Sequence, residues 1–192
     1  NLSAFNTGLV TPNQEEIFMV FKKNRSRDAW MFQEFCKDSS NLMVRFNPLP
    51  ERASYFTDYS ELIYNPKWEL RINIDHIVED SDNFQRFPDD IKKWPKHQLI
   101  NCFNGAIDHA KKRVRRNHLT AIPQYYRGKY ITNAQLQLLL PLCLIDPSKA
   151  DLALAVYKTE NNTYSGRTCL TLDMAINNAR LISKPDDEWL TP

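Results

Sequence analysis

The chain has 192 residues, 42% of them hydrophobic and 25% charged, and its 25 basic and 23 acidic side chains nearly cancel. This composition excludes a disordered chain, and no apolar run approaches the roughly 20 residues that span a membrane. The chain has four glycines, which argues against a Gly-rich phosphate-binding loop. We therefore expect one soluble domain, residues 1–192, large enough to bury a hydrophobic core.

The cysteines and the chain start indicate the cellular context. The four cysteines are widely spaced and form no CxxC pair, which excludes zinc ribbons and fingers. Free thiols inside a core fit a reducing compartment, so we expect a cytoplasmic protein. Because the chain begins at Asn1 and shows no signal-peptide pattern, we expect a piece of a longer polypeptide. The sequence identifies no cofactor and no metal site.

The first part of the chain has the pattern of β-strands. Alternating apolar residues predict strands at residues 5–10, 15–23 and 29–36, with a hairpin turn at residues 11–13. A further strand is predicted at residues 68–78. Its alternation would place Asn73 and Asp75 on one face and His76 among isoleucines on the other.

The most distinctive segment is residues 91–118, which holds eight Lys and Arg against one Asp. Its net charge of +7 exceeds the +2 of the whole chain. A 3.6-residue period predicts that it is a helix. The apolar stripe of this helix is Leu99, Phe103, Ala106, Ile107, Ala110 and Val114. Concentrated positive charge on one helix indicates an anionic partner.

Individual polar residues of this helix differ in their predicted surroundings. Lys112 lies opposite the apolar stripe, where a cation would meet phosphate or water. Arg113 and Asn117 fall at the edge of the stripe instead, close to alanines. Polar side chains that point inward need partners, so these two are the stronger candidates for a ligand site.

The second half predicts strands at residues 121–126, 135–144, 152–159 and 164–172. Turn-like connections, including Arg127-Gly128, favour an antiparallel meander. A final helix is predicted at residues 173–182, with Asp173 as its N-cap and Lys184-Pro185 as its end. Helices packed on a mostly antiparallel sheet make the expected class α+β.

Asn73, Asp75 and His76 form the sharpest local cluster. Asp75 and His76 are candidate catalytic groups, and Asn73 could orient a ligand. The alternative for His76 is a core histidine bonded to the backbone.

Several further side chains are candidate ligand-binding residues. Tyr125 and its neighbour Tyr126 combine rings with nearby cations, as single-strand binding surfaces do. Gln137 is an amide in a leucine-rich strand, where it either satisfies the backbone or contacts a ligand. The last helix could grip a phosphate or a base edge. The remaining candidates are Gln124, Asn177, Asn178 and Arg180.

Five phrases occur together in one order: FNTGL (5–9), NIDHI (73–77), AIPQYY (121–126), QLLLPLCL (137–144) and LTLDMA with NNAR (170–180). In these phrases the chain resembles the bacterial domain of unknown function 3825 over almost its whole length. That family is met fused to cold-shock and LOTUS-type RNA-binding modules. The resemblance therefore implies an RNA-linked context and covalently attached RNA-binding modules. It implies no activity and no catalytic residues.

Two functional hypotheses follow, and both involve an anionic partner. The first is an RNA- or nucleotide-binding domain, with the basic helix and the Tyr125/Tyr126 strand on its binding face and no membrane partner. The second is a hydrolase or transferase for a phosphate-containing small molecule or an RNA end. For that enzyme we expect Asp75 and Arg180 to line one cavity. A weaker option is a protein-interaction module.

Overall fold

The computed structural model describes residues 1–24, 29–126, 135–182 and 189–190. The predicted turn at Arg127-Gly128 and the predicted helix end at Lys184-Pro185 lie outside these residues. The expected domain comprises two compact units, Asn1–Ser54 and Tyr55–Pro192. A three-stranded sheet in the first unit and a five-stranded sheet with helices in the second confirm the α+β class.

The first unit is an antiparallel sheet in the order β1-β2-β3, and it confirms the three strands predicted there. Its strands are β1 (Leu2–Val10), β2 (Glu16–Lys23) and β3 (Trp30–Lys37). One face of the sheet packs on a short 3-10 helix, Met43–Arg45. The small core between them consists of Phe18, Val20, Cys36 and Met43.

The opposite face of this sheet carries a row of phenylalanines, which we term the outer aromatic face. Its rings are those of Phe5, Phe21, Phe32 and Phe35, and successive ring centroids are 5.8, 6.1 and 5.2 Å apart. Phe35 is 55% exposed, whereas Phe18 on the inner face is 0% exposed. The sheet therefore has a core on one side and a continuous apolar surface on the other.

Two phenylalanines of this sheet should differ sharply in their contribution to stability. Phe18→Ala removes a fully buried ring and should cost about 3–5 kcal/mol of unfolding free energy. Phe35→Ala removes a half-exposed ring and should cost under about 1 kcal/mol. Chemical denaturation followed by circular dichroism measures both. Equal losses of stability would mean that the outer aromatic face is covered in solution.

The second unit is built on a five-stranded sheet in the order β4-β8-β7-β6-β5. Strands β5 to β8 form the predicted antiparallel meander, and β4 adds a parallel edge strand beside β8. The strands are β4 (Glu69–Ile72), β5 (Ile122–Tyr126), β6 (Gln135–Leu142), β7 (Leu152–Lys158) and β8 (Thr163–Leu170). The helices are α1 (Ile74–Glu79), α2 (Ser81–Phe84), α3 (Asp89–Lys92), α4 (Lys96–Arg116) and α5 (Leu172–Ala179).

Helices cover both faces of this sheet. Helix α4 buries the predicted apolar stripe in full, against Leu138 and Leu140 of β6. Helix α5 packs on the reverse face, against Leu139 and the flat surface of Ala153 and Ala155. We call these the α4 face and the α5 face. Among the described helices, none is both long and apolar enough to cross a membrane.

Two predicted elements are corrected by the structure. The strand predicted at residues 68–78 is wrong, because it ends at Ile72 and helix α1 begins at Ile74. The last helix is capped by Thr171, whose hydroxyl accepts from the Met174 amide, so Asp173 lies in the first turn. Helix α5 therefore starts one residue earlier than predicted, and it ends at Ala179, three residues before the predicted end at residue 182.

Candidate nucleic-acid interface

The lysines at the start of the basic segment are paired with acids. The pairs, with N–O distances of 3.0, 3.5 and 3.3 Å, are Lys92–Asp89, Lys93–Asp90 and Lys96–Asp75. Lys96 also bonds Glu79, and its hydrogen bonds to Glu79 and Asp75 raise the pKa of the Lys96 ammonium. The positive charge of this end is therefore largely offset within the fold.

The last two turns of α4 carry cations without such pairing, and we call them the basic end. It consists of Lys111, Lys112, Arg115 and Arg116, none of which forms an ion pair with an acid in the described part of the chain. Lys112, Arg115 and Arg116 are exposed, and Lys111 is half-buried. Cations at this position also complement the helix dipole, so the helix itself gains from them.

Two residues of the basic end affect the pKa values of nearby groups, Glu69 on β4 and Tyr64 in the segment before β4. Arg71, which bonds Glu69, lowers the pKa of that carboxyl most, and Lys111 lowers it further. Burial raises the pKa of Tyr64 to about 12, and the positive charge of Arg115 opposes that rise. The basic end therefore lies near both Glu69 and Tyr64.

Tyr64, whose pKa Arg115 affects, belongs to a cluster of aromatic rings. Tyr64 stacks on Tyr164 with ring centroids 4.4 Å apart, and Trp68 packs beside Tyr164 at 5.2 Å. The Lys158 ammonium lies 4.8 Å from the centre of the Trp68 ring, in cation–π geometry. Tyr59, on the same segment as Tyr64, is largely exposed. Tyr64, Tyr164 and Trp68 thus form one aromatic cluster, and Lys158 and Arg115 are the cations near it.

The two tyrosines predicted to share a binding face lie on opposite faces of β5. Gln124 contacts α5, so alternation along the strand turns Tyr125 to the α4 face and Tyr126 back to the α5 face. Tyr125 is half-buried and packs on Tyr55 at 4.5 Å. Tyr126 is exposed. Only Tyr125 therefore lies on the same face as the basic helix.

The expected cavity joining Asp75 to Arg180 is wrong. Asp75 is on α1, which packs on the α4 face and holds Lys96. Arg180 is exposed at the end of α5, on the reverse face of the sheet. His76 is exposed as well, so it is neither a core histidine nor part of an enclosed site. The described residues contain no group of three or more His, Cys, Asp or Glu arranged for a metal.

Asn73 has a structural role that explains its place in the sequence. It is the N-cap of α1, and its side-chain carbonyl accepts from the His76 amide at 3.1 Å. The Asp75 carboxylate lies in the first turn of α1, where its negative charge interacts favourably with the helix dipole. The polar cluster therefore starts a helix, which is why the strand ends at this point.

Replacing the cap should change stability and leave any nucleic-acid binding intact. Asn73→Ala removes the acceptor for the His76 amide and should cost about 1 kcal/mol of unfolding free energy. Asn73→Ser keeps a capping oxygen and should restore most of that stability. Thermal or urea unfolding compares the three proteins. An alanine variant as stable as the parent protein would contradict the capping role.

Arg113 and Asn117, predicted at the edge of the apolar stripe, have protein partners. The Arg113 guanidinium is half-buried and donates to the Cys143 sulfur at 3.9 Å, a long contact. Burial raises the pKa of the Cys143 thiol, and Arg113 opposes this rise. The Asn117 side chain accepts from the Leu119 amide at 3.0 Å, which starts the 3-10 helix after α4. Both residues hold the chain at the end of the helix.

All four cysteines are free, as the sequence indicated. Cys36 and Cys169 are buried, and Cys102 and Cys143 are half-buried. Burial raises the pKa of Cys169 to about 12, so this thiol is protonated at neutral pH. It is therefore a packing residue.

Three predicted ligand residues do meet on the α5 face, and we call them the amide row. Gln124 donates from Nε2 to Gln137 Oε1 at 2.8 Å, and Asn178 donates from Nδ2 to Gln124 Oε1 at 3.0 Å. Gln124 is 1% exposed and Gln137 is 9% exposed. Asn177 and Arg180 are exposed elsewhere on the helix surface and take no part.

The sequence did not reveal a buried polar contact between α2 and β8. Asn83 is buried, donates to the Arg167 carbonyl at 3.3 Å and accepts from the Cys169 amide at 3.2 Å. Arg86 donates to the Cys169 carbonyl at 2.8 Å. Because these bonds satisfy backbone groups of an adjacent strand, their role is structural. A short polar segment such as this one carries no periodic signal that could predict it.

The fold and its surfaces define an α+β protein with one cationic helix end and one buried amide row. Residues 1–189 match the model of the family described as Domain of unknown function (DUF3825), and the chain belongs to this family. No curated protein and no solved structure matches the chain. The resemblance seen in the sequence is thus confirmed. The family description names no activity.

Proposed function

We propose that this protein binds RNA, and that the phosphates of a single strand contact the basic end of α4. The observation that carries the proposal is the contrast between the two ends of one basic segment. Lys92, Lys93 and Lys96 are paired with carboxylates, whereas Lys112, Arg115 and Arg116 extend into solvent. Unpaired cations on an exposed surface are available to phosphate groups.

The spacing of the four cations suits a chain of phosphates. Residues at positions 111, 112, 115 and 116 of a helix fall within an arc of about 140°. They therefore present their charges on one side of α4. Two of them are arginines, whose planar guanidinium groups can donate two parallel hydrogen bonds to one phosphate.

The neighbouring rings favour a single strand over a duplex. Unpaired bases stack on aromatic side chains, and this stacking works for every base because each has a π face. Tyr59 is largely exposed on the segment that also carries Tyr64, on which the charge of Arg115 acts. We propose that bases of the bound strand stack on this exposed ring.

The enzyme alternative no longer has the constellation on which it depended. Asp75 is paired with Lys96, and Arg180 lies on the reverse face of the sheet. The two groups therefore cannot act on the same phosphate. We propose a binding protein for this reason.

A pair of matched triple variants tests the binding proposal. Lys112→Ala, Arg115→Ala and Arg116→Ala together remove three unpaired cations. Lys92→Ala, Lys93→Ala and Lys96→Ala remove the same formal charge from the paired end of the segment. We expect the first variant to bind single-stranded RNA more weakly. Its plot of log affinity against log salt should be shallower by about 0.7 for each phosphate that the variant no longer neutralises.

Fluorescence anisotropy with a labelled single-stranded oligonucleotide, measured over a range of salt concentrations, gives both quantities. The control variant should keep a steeper salt dependence than the first variant, because the lysines that it lacks are paired with carboxylates in the parent protein. Salt-independent binding by the parent protein would contradict the proposal. An equal reduction of affinity in the two variants would show that net charge alone, not the basic end, is responsible.

A further inference from the structure

The amide row lies where the surrounding sheet face is apolar. Gln124 and Gln137 are direct cross-strand partners on β5 and β6. On the same face, Ile122 and Leu139 form the next cross-strand pair and belong to the core beneath α5. Burying an amide costs free energy unless its hydrogen bonds are replaced. Apolar residues would fill these two positions without that cost.

The hydrogen bonds of the row run in one direction and leave both ends open. Asn178 donates to Gln124, and Gln124 donates to Gln137. The Gln137 NH2 group then has no acceptor, and the Asn178 carbonyl has no donor, among the described residues. If all three amides were turned over, the donor and acceptor ends would exchange places. In either arrangement, the amide of Gln137, a residue that is 9% exposed, has hydrogen-bonding capacity to spare.

An aromatic ring adjoins the row on the same face. Tyr126 is two residues beyond Gln124 along β5 and pairs across the sheet with Gln135. It is therefore a diagonal neighbour of Gln137, and such neighbours lie about 7–8 Å apart, within reach of long and aromatic side chains. The Tyr126 ring is 40% exposed. A flat group could rest on this ring and present its edge to the amides.

We infer that the amide row and Tyr126 form a binding site for a nucleobase, and that adenine suits it best. The open Gln137 NH2 group can donate to N7 of adenine, and the second lone pair of Gln137 Oε1, beside the one that accepts from Gln124, can accept from the N6 amino group. The base would stack on Tyr126 while its edge bonds the Gln137 amide. This site goes beyond the proposed function, because it is on the α5 face and requires no phosphate contact at the basic end.

The competing explanation is that the row only fastens α5 to β5. In that case the three amides would satisfy one another and would contact no ligand. The two explanations predict different responses of the NMR signals of the side-chain NH2 groups when nucleotides are added. They also differ in the response of Tyr126, which forms no part of the fastening.

The test is a titration of the ¹⁵N-labelled full chain with AMP, GMP, UMP and CMP, observed through the side-chain NH2 signals. We expect AMP to shift the signals of Gln137 and its two partners. Tyr126→Leu should weaken AMP binding at least roughly tenfold while the spectrum stays that of a folded protein. Gln137→Leu should do the same. Gln98→Leu, an exposed amide on α4, is the matched control and should leave binding unchanged.

Two results would overturn the inference. One is the absence of any change in the side-chain NH2 signals with all four nucleotides. In that case the amide row would only attach α5 to β5. The other is a response to AMP that survives both Tyr126→Leu and Gln137→Leu. The variant that lacks Lys112, Arg115 and Arg116 separates the two proposals, because the AMP shifts should persist in it even where RNA binding is abolished.

Discussion

Strand β6 carries leucines on both of its sides, and the second unit depends on covering both. Leu138 and Leu140 point to one face of the sheet, and Leu139 points to the other. Exposed leucines on either face would cost about 25 cal/mol for each Å² of apolar surface left in water. Helix α4 therefore has to pack on one face and α5 on the other. This requirement decides where polar groups can be exposed.

On the α4 face, covering the leucines of β6 buries the apolar side of α4 and leaves its opposite side free to carry charge. The acids of α1 and α3 offset the lysines near the start of the basic segment. No comparable acids pair with the last two turns within the described residues, so the basic end keeps its charge. On the α5 face, Gln124 and Gln137 replace apolar residues at the β5–β6 pair beneath Asn178. The basic end and the amide row are thus polar features that apolar packing does not require.

The sequence predicts long periodic elements well. All six residues of the α4 stripe are buried, and the meander of four strands follows from alternation and turns. The failure at residues 68–78 has a physical reason. Ile74, Ile77 and Val78 fit helical spacing as well as Ile72, Ile74 and Val78 fit alternation. The N-cap at Asn73 decides between the two, and a single hydrogen bond is a weaker sequence signal than a repeated pattern.

The sequence could not predict which distant residues become neighbours in three dimensions. Asp75 and Arg180 are both polar residues near helix ends, but which face each helix covers depends on packing far along the chain. The amide row depends on the register that sets Gln124 opposite Gln137. The outer aromatic face was equally hidden, because alternation predicts two faces without telling which one is covered. Phe18 and Phe35 differ in burial because they lie on opposite faces of the sheet, and only the face of Phe18 is covered.

We propose that the two ends of the basic segment differ in their availability to phosphate. The most direct measurement is the change in backbone amide shifts of the ¹⁵N-labelled chain when a short single-stranded RNA is added. We expect the largest changes at residues 111–116, while residues 92–96, whose lysines are paired with carboxylates, change little. Equal changes along the whole segment, or none at residues 111–116, would contradict it.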